Sequence, residues 1–411
     1  MTNRLYIAIT TIGIYIFSLI GLLTPVSADM NNEISLERAI ETAIKQNYTL
    51  RSIYEKVKIA QEEYNGIPLL SNPELESEFI GSIQGEQNIE IIKSIELGGQ
   101  RRHRKKIAQI NLEKAEHELT RERQTLNKSV KLSFYQLLLI QEKVKLVQEM
   151  ILQNQLIYDI AQIRHVAGDI AITQVGLANL QLQSARRELA TLENKQQLAQ
   201  LELNGLMGTA LTAKPRVTGD LPLKNPPDIN LDTLTSKALM HRTDLKSLKL
   251  QKQLTESTYK LAKAANIPNL GIGGIVQRNQ DQTGLGLKVT IPLPIFDRNR
   301  VEIKTSTVQI KQDNIQILNL ENTITQDVTA AYLSVKAGKR NLMFYENDLL
   351  KLINKNLILT RSAYELGETG LLELIIIQNE YIKSQMDYLD TLYIYQKAFI
   401  DLEMAIGTPL H

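Results

Sequence analysis

The chain has 411 residues, no cysteine, no tryptophan, 5% aromatics and a formal net charge of +2. Without cysteine there are no disulfides, thiolate metal sites, thiol nucleophiles or lipidation at a mature N-terminal Cys, and a near-balanced charge gives no global attraction for nucleic acid. Long stretches rich in Gln, Leu, Lys, Glu and Ala point to extended helix rather than ordinary compact domains.

The first 28 residues read as an export signal peptide. Arg4 supplies a positive charge, Leu5 to Leu23 is mostly apolar, and Pro25 precedes the small-residue site Val26-Ser27-Ala28, so cleavage is expected after Ala28. No other stretch approaches the length of an apolar transmembrane helix. Export places the remainder in the periplasm, the outer membrane or the medium.

The rest reads as a duplication: a first repeat 29–208, a linker 209–229 and a second repeat 230–411. A shift of 195 positions lays Leu36 on Leu231, Ala43 on Ala238, Tyr64 on Tyr259 and Pro73 on Pro268, and a shift of 199 lays Gly168 on Gly367 and Gly208 on Gly407. Landmark residues kept in order across both halves are the signature of two copies of one unit.

Each unit follows one plan. A short helix begins at the capping residue Ser35 or Asn230, with Leu36, Ala39, Ile40, Ala43 and Ile44 forming an apolar face. Pro73 and Pro268 are expected to end helical structure and open an extended stretch. The period then changes to two. Ile89, Ile91, Ile95 and Leu97 alternate with Glu90, Ser94 and Glu96, and Leu285, Leu287, Val289, Ile291 and Leu293 alternate with Gly286, Lys288 and Thr290. These strands, 88–97 and 284–293, have the length of a tilted membrane strand. Leu75–Ile83 and Leu270–Val276 are weaker partners, joined to them through Gln84-Gly85-Glu86-Gln87 and Asn279-Gln280-Asp281-Gln282.

Two long arms follow, with no proline from Gly99 to Lys214 or from Ile295 to Thr408. In the first, Leu126, Val130, Ser133, Leu137, Ile140, Val144, Val147 and Ile151 recur at spacings of four and three, a coiled-coil repeat. Val328, Tyr332 and Val335, then Leu342, Tyr345, Leu349 and Leu352, continue the pattern in the second. Ala167-Gly168-Asp169 and Leu366-Gly367-Glu368 break the arms, so each is expected to be a helical hairpin. Four strands cannot close on themselves in hydrocarbon, because open edges leave backbone groups unsatisfied. Membrane strands therefore require further copies, a dimer giving eight strands or a trimer twelve.

Several segments together resemble the TolC-like outer-membrane efflux family, nearest its CzcC/CusC-like heavy-metal branch: ISLERAIETAIKQN, LLSNPELESE, SIELGGQRRHR, RHVAGDI, LNGLMG, IPLPIFDRNR and YELGETGLLELI. The resemblance covers nearly all of the mature chain. It implies a mainly α protein with a small β part, forming a homotrimer with a twelve-stranded barrel and an α-helical tunnel. It also implies docking to a periplasmic adaptor protein and an inner-membrane pump, with the channel a passive duct for metal cations or small toxic compounds.

In such a protein the glycine turns, Ala167, Gly168 and Asp169 with Leu366, Gly367 and Glu368, are the tips that meet the adaptor. The resemblance also implies a tunnel constriction lined by acidic side chains after the second tip. Glu373 matches one such position, but Ile376 stands at the next, so the acidic gate is reduced. Arg101, Arg102 and Arg104, in the basic run 100–106, fall where a strand leaves the membrane and are read as contacts to lipid head groups. His103, His117, His165, His241 and His411 show no ligand spacing, so no metal site or cofactor is expected. No nucleophile–base set converges, so the chain reads as a non-enzyme. The alternatives, a periplasmic adaptor or a coiled-coil scaffold, fit less well: an adaptor needs one hairpin between β-rich domains, and a scaffold leaves the duplicated strands unexplained.

Overall fold

The computed structural model describes residues 33–68, 70–80, 86–219, 230–279 and 282–410. The expected signal peptide with its cleavage point, residues 81–85 of the first expected strand and turn, and residues 220–229 of the expected linker lie outside them.

The chain opens with a short strand β1 (Glu33–Ile34), then helices α1 (Leu36–Gln46) and α2 (Tyr48–Asn65). Ser35 caps α1 by accepting the Arg38 amide, and Asn47 accepts the Leu50 amide at 3.0 Å to begin α2. Helix α2 stops at Gly66, whose N–H bonds the Glu62 carbonyl at 2.7 Å, ahead of Pro68. The expectation that Pro73 ends the helix is thus corrected: Pro68 already disfavours helix at the residue before it, and Pro73 only precedes the strand.

Strands β2 (Glu74–Ile80) and β3 (Glu86–Ile95) form an antiparallel pair, and β3 runs into α3 (Gln100–Val166). With 67 residues, α3 is about 100 Å long. It turns back into α4 (Ile172–Met207), and β4 (Arg216–Val217) follows. The second half runs α5 (Leu231–His241), α6 (Thr243–Ala264), β5 (Leu270–Asn279), β6 (Gln282–Thr290) and α7 (Arg300–Phe344). A π-helical turn (Tyr345–Leu349), α8 (Leu350–Glu365) and α9 (Leu371–Ile406) complete it. Strands β3 and β6 start and end two or three residues earlier than the alternation predicts. Glu86 and Gln87 pair with Ile80 and Phe79, so they belong to the ladder rather than to the turn.

The sheet order is β2-β3-β5-β6, antiparallel throughout. Each strand joins one helix: α2 leads into β2, β3 into α3, α6 into β5 and β6 into α7. Those helices pack side by side in the same order, α2 on α3, α3 on α6 and α6 on α7. The result is a wall one element thick that changes from strand to helix along its length. Towards the other end α4 packs on α3, and α9 packs on α3 and on α7 and α8.

The predicted seam of the first hairpin is its core: Leu126, Val130, Ser133, Leu137, Ile140, Val144 and Val147 are all buried, packed with Leu192, Leu203 and Met207 of α4 and Ala39 and Ala43 of α1. Val328, Val335 and Leu342 of α7 are equally buried, against Leu392, Tyr395, Phe399 and Leu402 of α9. Leu352 departs from the expected repeat. It is 58% exposed, and the buried or half-buried stripe resumes at Ile353, Leu357, Thr360 and Tyr364. That is a slip of one residue, the amount a single π turn inserts into an α-helical ladder. The helical arm of the second hairpin therefore carries a phase shift that α3 lacks.

The first part of the expected linker, 209–219, is held down. Arg216 and Val217 pair parallel to Glu33 and Ile34. The buried Gln141 amide accepts the Val217 N–H at 3.0 Å and donates to its carbonyl at 3.3 Å. Gln200 and Asn204 bond the carbonyls of Pro215 and Ala213. These polar side chains lie in an otherwise apolar interior and satisfy a peptide segment with no helix of its own.

Candidate functional site

The four-stranded sheet has two unlike faces. The register places Leu75, Phe79, Ile89 and Ile91 on one face with Ile272, Val276, Leu285, Leu287 and Val289. These side chains stand free, Leu287 being 91% and Leu285 84% exposed. The opposite face carries Glu76, Glu78, Asn88, Glu90, Gln277, Lys288 and Thr290, with Lys288 bonded to Glu90. An apolar face opposite a polar one is what a strand needs to separate hydrocarbon from water. Edges β2 and β6 are each paired on one side only. Among the described residues, no helix is long and apolar enough to cross a membrane.

At the far end lie the two tips. After α3, Gly168 takes φ +84° and the Asp169 N–H reaches back to the Arg164 carbonyl at 2.9 Å. After α8, Gly367 takes φ +78° and the Glu368 N–H reaches the Ala363 carbonyl at 2.8 Å. Both are left-handed helix stops, a conformation that disfavours a β-carbon. The tips share one core: Ile157, Ala161, Val175 and Ala178 of the first hairpin pack with Tyr364, Leu371, Leu374 and Ile375 of the second. Around it Val166 (88% exposed), Leu366 (75%), Ile163, Ile172 and Leu372 are left uncovered. Of this apolar rim the sequence alone singled out only Leu366; Val166, two positions before Gly168, and Ile163, Ile172 and Leu372 come from the structure.

Glu373 is exposed in the first turn of α9, and its Oε2 folds back to within 2.7 Å of where a β-carbon on Gly370 would stand. That is the place of a carboxylate at the third helical position, reaching towards the helix's free amide groups. Ile376, one turn on, is exposed beside it.

The structure separates the three arginines. Arg104 bonds Glu96 at 2.5 Å, on the side that continues the polar face of β3. The Arg101 Nε donates to the Pro68 carbonyl at 3.0 Å. Arg102 instead opens into a cleft between α2, α3 and α6.

Between the two ends, ion pairs tie the hairpins together. Lys128, Lys131 and Lys143 of α3 reach Asp401, Glu403 and Asp390 of α9. Arg242, at the junction of α5 and α6, bonds Asp244 at 2.5 Å and Asp327 at 2.8 Å. Burial raises the Asp244 carboxyl, but the hydrogen bonds and charge of Arg242 outweigh it and hold Asp244 below the usual carboxylate range. Among the described residues, no three His, Asp or Glu side chains converge as a metal site.

A one-layer wall of amphipathic strands continued by coiled-coil helices defines one segment of an outer-membrane channel. The chain belongs to the outer membrane efflux protein family, whose pattern matches residues 80–209 and 234–408. It is 21% identical over 400 residues to the probable outer membrane lipoprotein SilC of Salmonella typhimurium, covering 90% of this chain and 85% of that one. It is 22% identical over 387 residues to the cobalt-zinc-cadmium resistance protein CzcC of Cupriavidus metallidurans, covering 91% and 90%. Among solved structures, CusC superposes with a TM-score of 0.78 at 17% identity, over 91% of this chain and 92% of that one. The CmeC outer membrane channel of Campylobacter jejuni gives 0.77 at 14% identity, over 90% and 85%.

Proposed function

We propose that this chain is the exit duct of a tripartite efflux pump: a homotrimer that carries metal cations or small toxic compounds passively across the outer membrane. The observation that carries this reading is the wall itself, one element thick, with an uncovered apolar strand face and two open edges. Three copies of the four-stranded sheet supply a twelve-stranded closed barrel, which removes the unpaired edges that hydrocarbon does not tolerate. The helices continue each strand, so the tunnel of the helical part follows from the closure of the barrel. The chain is read as two copies of one unit, 29–208 and 230–411, behind a signal peptide 1–28.

Within this reading, Ala167, Gly168 and Asp169 with Leu366, Gly367 and Glu368 meet a periplasmic adaptor that links the duct to an inner-membrane pump. The uncovered apolar rim around them supports a protein-binding role. Glu373, repeated by the trimer, forms a negative ring that favours cations. The metal cargo is supported by the similarity to CzcC, a cobalt-zinc-cadmium resistance protein.

The test is the solution mass of the detergent-purified protein together with its conductance in planar bilayers. Trimers that form small cation-preferring channels are expected. A monomer that never inserts would overturn the duct.

A further inference from the structure

The cleft beside Arg102 lies at the strand end of α3, apart from Glu373 and from the glycine tips. It measures about 730 Å³ and lies between α2, α3 and α6, with Arg101, Arg102, Lys105 and Lys106 from α3, Lys260 from α6 and one carboxylate, Glu256. Tyr64 of α2 forms one wall, with the Lys105 ammonium 5.3 Å from its ring centre. Among the described residues, no carboxylate pairs with Arg102, Lys105, Lys106 or Lys260; Lys106 donates instead to the Gln109 amide oxygen at 3.2 Å. Several uncompensated cations held around one concavity are a site for an anion of more than one oxygen.

The side of the wall on which the cleft opens follows from the chain. Asn88, Glu90 and Ser94 lie on the polar face of β3, and Glu96 continues that parity and pairs with Arg104. Arg102 and Lys106 are each two residues from Arg104, about 200° around the helix. They therefore face the opposite way, to the side of the uncovered apolar strands. Along the axis, Lys106 lies only about 9 Å beyond the start of α3. That is a little beyond the head-group zone, which adds roughly 5–8 Å on each side of the hydrocarbon core, a gap that a long lysine or arginine side chain spans.

We propose that this cleft is a binding site for the phosphate of an anionic phospholipid head group in the periplasmic leaflet of the outer membrane, held by Arg102, Lys106 and Lys260. The inference rests on the reading of the strands as membrane-spanning. It shifts the expected set Arg101, Arg102 and Arg104: Arg104 pairs with Glu96, Arg101 lines the cleft with its Nε donated to the Pro68 carbonyl, and Lys106 and Lys260 join Arg102. The long lysine stems lie along the wall while their ammonium groups reach the phosphate.

The test adds equal phosphatidylglycerol and phosphatidylcholine to the detergent-purified protein and reads retained lipid by native mass spectrometry. The variant is Lys106→Gln with Lys260→Gln, and the control is Lys195→Gln with Lys351→Gln, two exposed lysines remote from the cleft. Wild type and control are expected to retain phosphatidylglycerol about fivefold over phosphatidylcholine, and the cleft variant to lose that preference. Its oligomer mass and insertion into liposomes are expected to stay unchanged. Equal retention of both lipids by wild type, or an unaltered preference in the cleft variant, overturns the inference. Complete displacement by millimolar inorganic phosphate overturns the lipid as the source of the anion. Failure of wild type to insert into liposomes overturns the membrane reading and this inference with it, whereas insertion without head-group preference overturns this inference alone.

Discussion

Lys143 of α3 places its ammonium 2.7 Å from both carboxylate oxygens of Asp390 on α9, joining the two hairpins across 247 positions of chain. Lys131 to Glu403 at 3.0 Å and Lys128 to Asp401 at 2.6 Å lie further along the same pair of helices. Because Asp390 is nearly half exposed, solvent screens the pair. Lys143→Met is expected to cost about 0.5–1 kcal/mol, and the exchange Lys143→Asp with Asp390→Lys to recover most of it. Thermal midpoints in detergent, compared as a double-mutant cycle, measure this. Equal losses in single and exchanged variants would show that the pair contributes nothing.

The glycine tips test adaptor docking. At Gly168 and Gly367 no atom crowds the site of a β-carbon, so Gly367→Val meets backbone strain rather than a clash. A β-branched residue in the left-handed region costs about 1–3 kcal/mol, relieved here by distorting only the turn. Trimers are expected to persist by mass while metal or drug resistance of cells is lost. Wild-type resistance in that variant would refute the tip assignment.

Glu373 separates two roles by substitution. Glu373→Gln keeps a side chain that reaches back to the start of α9 and removes its charge, whereas Glu373→Ala removes both. If the ring sets selectivity, single-channel recordings show reduced cation preference in both variants, with stability lowered only in Glu373→Ala. Unchanged selectivity in both would refute the ring and leave Glu373 an exposed first-turn carboxylate.

The π turn predicts an unusual tolerance. Deleting Asn347, exposed within Tyr345–Leu349, lets α7 and α8 merge into one α-helix with both buried stripes in phase. Thermal midpoints within about 2 °C of wild type are expected. Deleting Gln148 in the unbroken α3 rotates everything beyond it by about 100° and is expected to abolish trimers. Equal damage from the two deletions would mean that the π turn does not absorb the phase difference.

Asp244 gives a pH dependence of definite sign. Its folded-state carboxyl is lowered, so its contribution is fully present above the ordinary carboxylate value and is lost as pH falls through the folded value. The stability difference between wild type and Asp244→Asn is expected to be constant from pH 8 to about 5 and to shrink below about 4. Denaturant midpoints across that range are the measurement. A difference that grows on acidification would contradict the sign.

Much of the architecture was legible because it is written in local periods. The alternation around Ile89–Glu90–Ile91 reflects the two faces of a strand, and Leu126 to Val147 reflects a helix seam; both depend only on neighbours along the chain. Ser35, Asn230, Gly168 and Gly367 were legible for the same reason, since caps and left-handed stops involve residues a few positions apart. The tertiary structure decided what depends on distant partners. Leu352 obeys the seven-residue pattern but faces outward, because the π turn shifts the phase before it. The segment 209–219 looks like a linker until Gln141 and β1 bond it. Arg104 belongs to a basic run in sequence, yet Glu96 takes it to the polar side of the wall and leaves Arg102, Lys106 and Lys260 to make the cleft. Lys143 meets Asp390 only because α3 and α9 pack together. Such pairings are fixed by which helices become neighbours, which no local period encodes.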